Sequence, residues 1–478
     1  MRLLDFYSVV LPLGLALTST ADAAVNKSGQ NTCIVKANGH QKDDVPDILK
    51  AFKECGHGGT VIFPEDQSYW IATRLNPVIN DVVIEWRGKW TFSDNLDYWR
   101  NNSYPIAFQN HHAGFVITGH NIKIDGYGTG GIDGNGNVWY TAEQGTTLPG
   151  RPMPFVFWNV SDVSVENFYV KDPQLWSLNI MNGTNMRFNN IYCNATAVNA
   201  PYGKNWVQNT DGFDTMDVNN VELTNFVYQG GDDCIAIKPR SYNVNIHNVT
   251  CRGGNGIAIG SLGQYLEDSS VSNIKIDTVK IIRYNEDMHN SAYIKTWVGA
   301  LVPQSSYESA GQPRGAGWGS VTNVLFSNFD IQGANSGPAI TQDNGNNGSL
   351  SGTSLMSISN VAFVNFTGTI DTSKTTTASV SYDDEGYLNP FLCVDKYYIH
   401  KANAYMALSE LQDDPAALEL NYFLGEYISP ILRWKEVRGN GDSFSDWIDW
   451  DWDPWLEVEF VHTVSSIKPG TRERWSDE

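Results

Sequence analysis

The residues best placed to do chemistry are three aspartates. Asp211 lies in Asn209-Thr210-Asp211-Gly212-Phe213-Asp214, and Asp232 and Asp233 follow 21 and 22 residues later in Gly230-Gly231-Asp232-Asp233-Cys234. Asn255, between two glycines, comes 23 residues after Asp232. A chain that coils with this period stacks these positions on one face. Three carboxylates crowded into one patch shift one another's proton affinity, which acid and base work on a glycosidic bond requires.

The period recurs through the middle of the chain. An Asn or Asp leads an alternating apolar run at Asp162, Asn185, Asn220 and Asn243, with later copies at Asn273, Asn323 and Asn360. The steps are 23, 35, 23, 30, 50 and 37 residues, so one turn takes 23 residues and the excess is loop. Alternation marks strands, and Gly, Asn and Asp mark corners. Repeats of this size bury their apolar faces only by stacking, which predicts a solenoid. Propeller blades, at about 40 to 45 residues, are too long for the 23-residue steps. The expected fold is all-β: a single parallel β-helix domain over 24–381, with an N-terminal capping helix and an atypical tail over 382–478.

A solenoid reconciles 478 residues with one domain, because it grows along an axis. The formal net charge of −21 excludes nucleic acid as the partner. An acidic polysaccharide would also be repelled at long range, so binding one demands basic groups inside the site. Residues 1–23 read as an export signal: Arg2, an apolar stretch from Val9 to Leu17, then Ala21-Asp22-Ala23. That stretch is too short to span a bilayer, and no later segment does so. The chain is expected to be secreted and monomeric, with no membrane partner, cofactor or metal. Sequons at Asn26, Asn101, Asn159, Asn182, Asn194, Asn248, Asn347 and Asn365 suit a glycosylating secretory route. Six cysteines in such a chain point to disulfides. Cys234 with Cys251 would brace the acidic patch, and Cys33 with Cys55 would span the N-terminal helix. Cys193 and Cys393 have no evident partners.

Asp47 to Glu54, after Asp43-Asp44-Val45-Pro46, reads as a helix covering the open end of the first coil. Gly126-Tyr127-Gly128-Thr129-Gly130-Gly131 matches a dinucleotide fingerprint by letter. The following stretch is too rich in Gly and Asn to open a helix, so these glycines are expected to be tight corners.

Taken together, Gly130-Gly131-Ile132-Asp133-Gly134-Asn135-Gly136-Asn137-Val138-Trp139, Asn209-Thr210-Asp211-Gly212-Phe213-Asp214, Gly231-Asp232-Asp233-Cys234, Gly254-Asn255-Gly256-Ile257-Ala258-Ile259-Gly260-Ser261 and Tyr293-Ile294-Lys295 resemble the polygalacturonases of glycoside hydrolase family 28. The resemblance runs from about residue 40 to about 380. It implies a right-handed β-helix with a substrate groove, Asp232 as general acid, and Asp211 and Asp233 as the pair activating water for inversion. Acid and base would then stand roughly 6.5 to 9.5 Å apart. Lys295 matches the family's uronate-binding lysine, and Lys238 resembles the lysine of exo-acting members. Asp214 and Asp217 read as corner residues.

Asn255 stands where the family usually has His, and Tyr293 where it usually has Arg. Both are expected at the substrate-binding site, and both resemble the fungal exo-polygalacturonase branch, as does Gly260-Ser261-Leu262-Gly263-Gln264-Tyr265. The implied activity is release of galacturonic acid from non-reducing ends of pectic chains. Alternatives are a rhamnogalacturonan- or xylogalacturonan-directed hydrolase, a pectate-lyase-like enzyme, or a silent glycan-binding β-helix. An exo enzyme needs a blocked pocket, and the insertion from Trp297 through Gly319 is expected to help close it, with Trp297, Tyr307 and Trp318 available to stack on sugar. Beyond Ser381 the repeat ends. His400 to Val437 reads as helical, and Asp446 to Trp455 is acidic and Trp-rich.

Overall fold

The leading asparagines of the repeat are corners. Asp162, Asn185, Asn220, Asn243, Asn273, Asn323 and Asn360 all adopt left-handed backbone angles, with φ from 52° to 61°. Asn and Asp are the non-glycine residues that best tolerate this conformation. Their amides also bind the rung beneath: Asn185 donates to Asp162 at 3.1 Å, Asn220 to Asn185 at 2.9 Å and Asn323 to Asn273 at 3.0 Å. The polar letter that marks the period is therefore both the bend and a link between turns.

The computed structural model describes residues 31–284, 290–345, 349–350 and 352–371, together with the strands Asn26–Lys27 and Phe391–Tyr397. Between corners, apolar residues pair in parallel register: Val163 with Met186, Met186 with Val221, Val221 with Val244, then Ile274, Val324 and Val361. These offsets reproduce the sequence steps. The result is a right-handed parallel β-helix. Its interior begins with aromatic residues, Trp86 against Trp90 at 4.0 Å and Phe115 stacked on Phe155 at 4.8 Å. Ladders of Ile, Val, Leu and Phe continue it.

Helix α1 (Val45–Cys55) buries Val45, Ile48, Ala51, Phe52 and Cys55 against the first coil. The Cys33–Cys55 disulfide pins it to strand Thr32–Ile34. At the other end, Phe391–Tyr397 pairs antiparallel with Leu355–Ile370. The signal segment 1–23, Asn347, the helical reading of 400–437 and the Trp-rich run lie outside the described residues, as do the side chains of Asn26, Tyr307 and Cys393.

Gly130 is a tight corner, since a Cβ there would lie 1.4 Å from the Trp86 carbonyl oxygen. It leads into strand Gly131–Asp133, as the corner reading requires. The stretch from Ile132 to Gly136 is strand and turn, as expected, and a short helix not foreseen, α2 (Asn137–Glu143), begins directly after it. Full burial of Trp139 and Tyr140 overrides the weak local propensity.

Candidate active site

Four short strands, Ile235–Ile237, Ile257–Leu262, Ala292–Trp297 and Ala339–Asn344, stack in parallel on the start of Phe213–Gln229. Their isoleucines face the core. Alternate residues point outward, so Asp214, Ala236, Ala258, Tyr293 and Ala339 form one line across the outer face. The alanines keep this floor shallow. They leave room for the Tyr293 side chain, whose hydroxyl reaches Asp233 two rungs away.

The aspartates sit where these strands begin. Gly212 N–H donates to the Asp233 carbonyl at 2.9 Å, Cys234 N–H to Gly256 at 2.7 Å and Asn255 N–H to Asp232 at 2.9 Å. The Cys234–Cys251 disulfide fastens the same corner, as expected. One carboxylate oxygen from each of Asp211, Asp232 and Asp233 lies within 4.8 Å of those from the other two. This closest approach is tighter than the gap expected for an inverting pair. Its cause is the fold: Asp232 and Asp233 are neighbours, and Asp211 lies one rung below, at a sheet spacing of about 4.8 Å.

The three carboxylates differ in surroundings. Asp232 keeps part of its surface open. Its Oδ2 accepts from Asn209 N–H at 3.0 Å and Asn209 Nδ2 at 3.3 Å, and its Oδ1 from Asp233 N–H at 2.9 Å and Asn255 Nδ2 at 3.0 Å. Burial and then the Asp233 charge raise its pKa, against Lys295 and the donated hydrogen bonds. Asp233 is buried, accepting from Tyr293 Oη at 2.5 Å and Lys295 Nζ at 2.9 Å. Asp211 is buried too, and burial with the charges of Asp214 and Asp232 holds its carboxyl well above the usual range.

Lys238 lies beneath this patch, with Nζ 3.0 Å from Asp214 and 3.6 Å from Asp211, and 4.1 Å from the Trp176 ring centre. Burial works to lower its pKa, but Asp214 and Asp211 outweigh it and keep the ammonium charged. Asp214 is pushed up to about 6 by burial, with Lys238 pulling the other way. The corner reading holds for Asp217, which has φ 54° and is paired with Arg240. It fails for Asp214, a buried strand residue of the outer-face patch paired with Lys238, which alternation from Gly212 could have flagged. The clustered oxygens are close enough to meet one cation, yet the buried carboxylates of Asp211 and Asp233 already face the ammonium groups of Lys238 and Lys295.

Beside the patch stands an element the sequence did not reveal. Strands Tyr104–Ile106, His111–Ala113 and Pro152–Met153 form a small second sheet. It packs with Trp176 over Val116, Val156, Met181 and Met216 on the outer face. The turn at its tip meets the long insertion side: Gln109 Nε2 donates to Gln264 Oε1 at 2.9 Å, buried, and Gln109 N–H to Tyr265 Oη at 3.0 Å. His111 lies 4.3 Å from Trp176, edge-on, and burial with the charges of Lys238 and Arg314 holds its pKa well below 6.5. The insertion folds back on Gly263 and Gln264 through hydrogen bonds from Gly317 and Gly315. Trp297 is buried within it, while Trp318 is exposed.

Of the sequons, Asn101, Asn159, Asn182, Asn248 and Asn365 are exposed and Asn194 is half-buried. Cys193 is a buried free thiol, its pKa raised to about 12 by burial. Among the described residues, no helix is long and apolar enough to cross a membrane.

Residues 60–384 match the family model "Glycosyl hydrolases family 28". The chain is 77% identical over 367 residues to "Putative galacturan 1,4-alpha-galacturonidase C" of Aspergillus niger, covering 77% of this chain and 87% of that one. It is 33% identical over 382 residues to "Exopolygalacturonase" of Cochliobolus carbonum, covering 78% and 81%. Among solved structures, the endo-xylogalacturonan hydrolase from Aspergillus tubingensis superposes with a TM-score of 0.60 at 26% identity, over 71% of this chain and 85% of that one.

Proposed function

Since the chain belongs to glycosyl hydrolase family 28, we propose that it is an exo-acting, inverting hydrolase releasing galacturonic acid from the non-reducing ends of polygalacturonate and its oligomers. The observation that carries this reading is the carboxylate patch paired with Lys238 and Lys295. The Gln109–Gln264 contact is read as closing one end of that site, so that it accepts a chain end and excludes the middle of a polymer.

Asp232 is the general acid. It is the most open of the three, and burial with the neighbouring Asp233 charge favours its protonated form. Asp211 and Asp233 hold the attacking water and take its proton. Lys295 and Tyr293 orient Asp233, while Asn255 and Asn209 orient Asp232. Where the family's His would titrate, Asn255 supplies a hydrogen bond and no charge change. Lys295, one-fifth exposed, also presents a cation to a uronate. The partner is thus a pectic chain, met by basic groups held inside an otherwise acidic molecule. Export with glycosylation is supported by the leading segment, the Cys33–Cys55 and Cys234–Cys251 disulfides and the exposed sequons.

The test is digestion of oligogalacturonates of defined length, labelled at the reducing end. Monomer with labelled products shortened one residue at a time is expected. Mixed oligomers at the first time point would refute exo attack, and an ultraviolet-absorbing unsaturated product would indicate a lyase. Release from rhamnogalacturonan or xylogalacturonan alone would move the substrate to the alternative.

A further inference from the structure

Asp232 is held by a series of hydrogen bonds that begins outside the coil. Its Oδ2 takes both donors of Asn209, the backbone N–H at 3.0 Å and Nδ2 at 3.3 Å. The amide donates in that direction only while its oxygen faces the other way. Turned over, it would set Oδ1 against Asp232 Oδ2, acceptor against acceptor whenever Asp232 is ionised. Asn209 Oδ1 instead accepts from the Thr147 hydroxyl at 2.7 Å, across 62 residues of sequence. Thr147 belongs to the loop that leads from α2 to strand Pro152–Met153 of the small second sheet.

The direction of this series is fixed by a group that cannot accept. Arg151 Nη1 donates to Thr147 Oγ1 at 3.1 Å, and a guanidinium offers no acceptor, so the one hydrogen of the hydroxyl is left for Asn209. Arg151 is itself immobilised. Its side chain is 2% exposed, and Nη1 also reaches Glu143 at 3.1 Å, Nη2 the Gln208 carbonyl at 3.1 Å and Nε the Gln174 carbonyl. Glu143, the last residue of α2, is equally buried and takes Arg100 on its other oxygen. The Gln208 contact pins the backbone one residue before Asn209. Donors therefore run one way, from Arg151 to Thr147 to Asn209 to Asp232.

We propose that Thr147 is a positioning residue for the reaction: its hydroxyl, oriented by Arg151, holds the Asn209 amide so that it donates to Asp232 and sets the plane of that carboxyl group. This rests on the reading of Asp232 as general acid and extends it to a loop that lies outside the repeat. Thr147 acts through Asn209 rather than on the carboxylate.

The experiment measures kcat and KM for digalacturonate, and the carboxyl carbon NMR titration of Asp232, identified as the resonance missing from Asp232→Asn, in wild type, Thr147→Val and Thr147→Ser. Valine keeps the shape of threonine and removes the hydroxyl. It should lower kcat on the order of tenfold, with KM within about twofold of wild type. The Asp232 titration should move to higher pH, because a donor that favours the ionised form is no longer held in place. Asp233, Asp211, Lys295 and Tyr228, which also face Asp232, are the same in every variant. Thr147→Ser returns the hydroxyl and should recover most of both effects. In an Asn209→Ala background, Thr147→Val should cost less than about twofold, since the amide it holds is gone. A loss there as large as in the native background, a loss that serine does not recover, or an unmoved Asp232 titration would make the loop a structural support and overturn the proposal. If Thr147→Val does not fold, Thr147→Ala takes its place with the same expectations. If wild type releases no galacturonate, the functional reading fails instead. The Asp232 titration then decides the relay by itself, and an unchanged curve without the hydroxyl would overturn it.

Discussion

Replacing Tyr293 with Phe isolates one atom of the site. The ring stays on the groove floor, and only the hydroxyl that donates to Asp233 at 2.5 Å and accepts from Lys295 at 3.0 Å is removed. A hydrogen bond to a charged acceptor is worth about 1.5 to 3 kcal/mol. At about 1.36 kcal/mol per tenfold, full expression in the transition state is a loss of roughly 10- to 160-fold. Asp233 retains Lys295 at 2.9 Å, so the expected loss lies at the lower end, about 10- to 40-fold. It should appear in kcat, because the hydroxyl orients the base and does not grip the sugar. Initial rates of galacturonate release across digalacturonate concentrations separate the two constants. An unchanged kcat with a tenfold rise in KM would assign Tyr293 to substrate binding and refute the reasoning. If both constants stay at wild-type values, the hydroxyl has no role.

Three further outcomes are expected. Asp232→Asn should lower kcat by about a thousandfold while melting no lower than wild type, since a neutral amide replaces a carboxylate that burial disfavours; a tenth of normal turnover would unseat Asp232 as the acid. The Asp214 pKa is raised from 3.8 to about 6, so its contribution to stability is fully present below 3.8 and is lost as pH rises through 6. Melting temperatures from pH 3.5 to 7 should therefore fall less steeply in Asp214→Asn, and parallel curves would contradict this. Finally, proton NMR of the first product from α-linked substrate should show the β anomer. Although the closest carboxylate oxygens approach within 4.8 Å, both oxygens of Asp233 are engaged and Asp211 is buried, so neither is free to attack the sugar. The α anomer would mean retention.

The solenoid, its period and the clustering of three aspartates were legible in the chain because each depends on short-range rules. A left-handed corner selects Asn or Asp, alternation selects the buried face, and offsets of 21 and 23 residues, close to one turn, superpose Asp211, Asp232 and Asn255. Contacts that no repeat or motif marks were not legible. Asp214 looks like any corner aspartate until Lys238 of the next rung comes within 3.0 Å of it. Tyr293 reads as a lost arginine until its hydroxyl is seen on Asp233. The small second sheet is joined to the insertion side through Gln109 and Gln264, 155 residues apart, by side chains with no periodic signature. Repeats are written into local composition because every turn solves the same steric problem. The contacts of Gln109 with Gln264 and Tyr265 join distant segments, and only packing in three dimensions selects them.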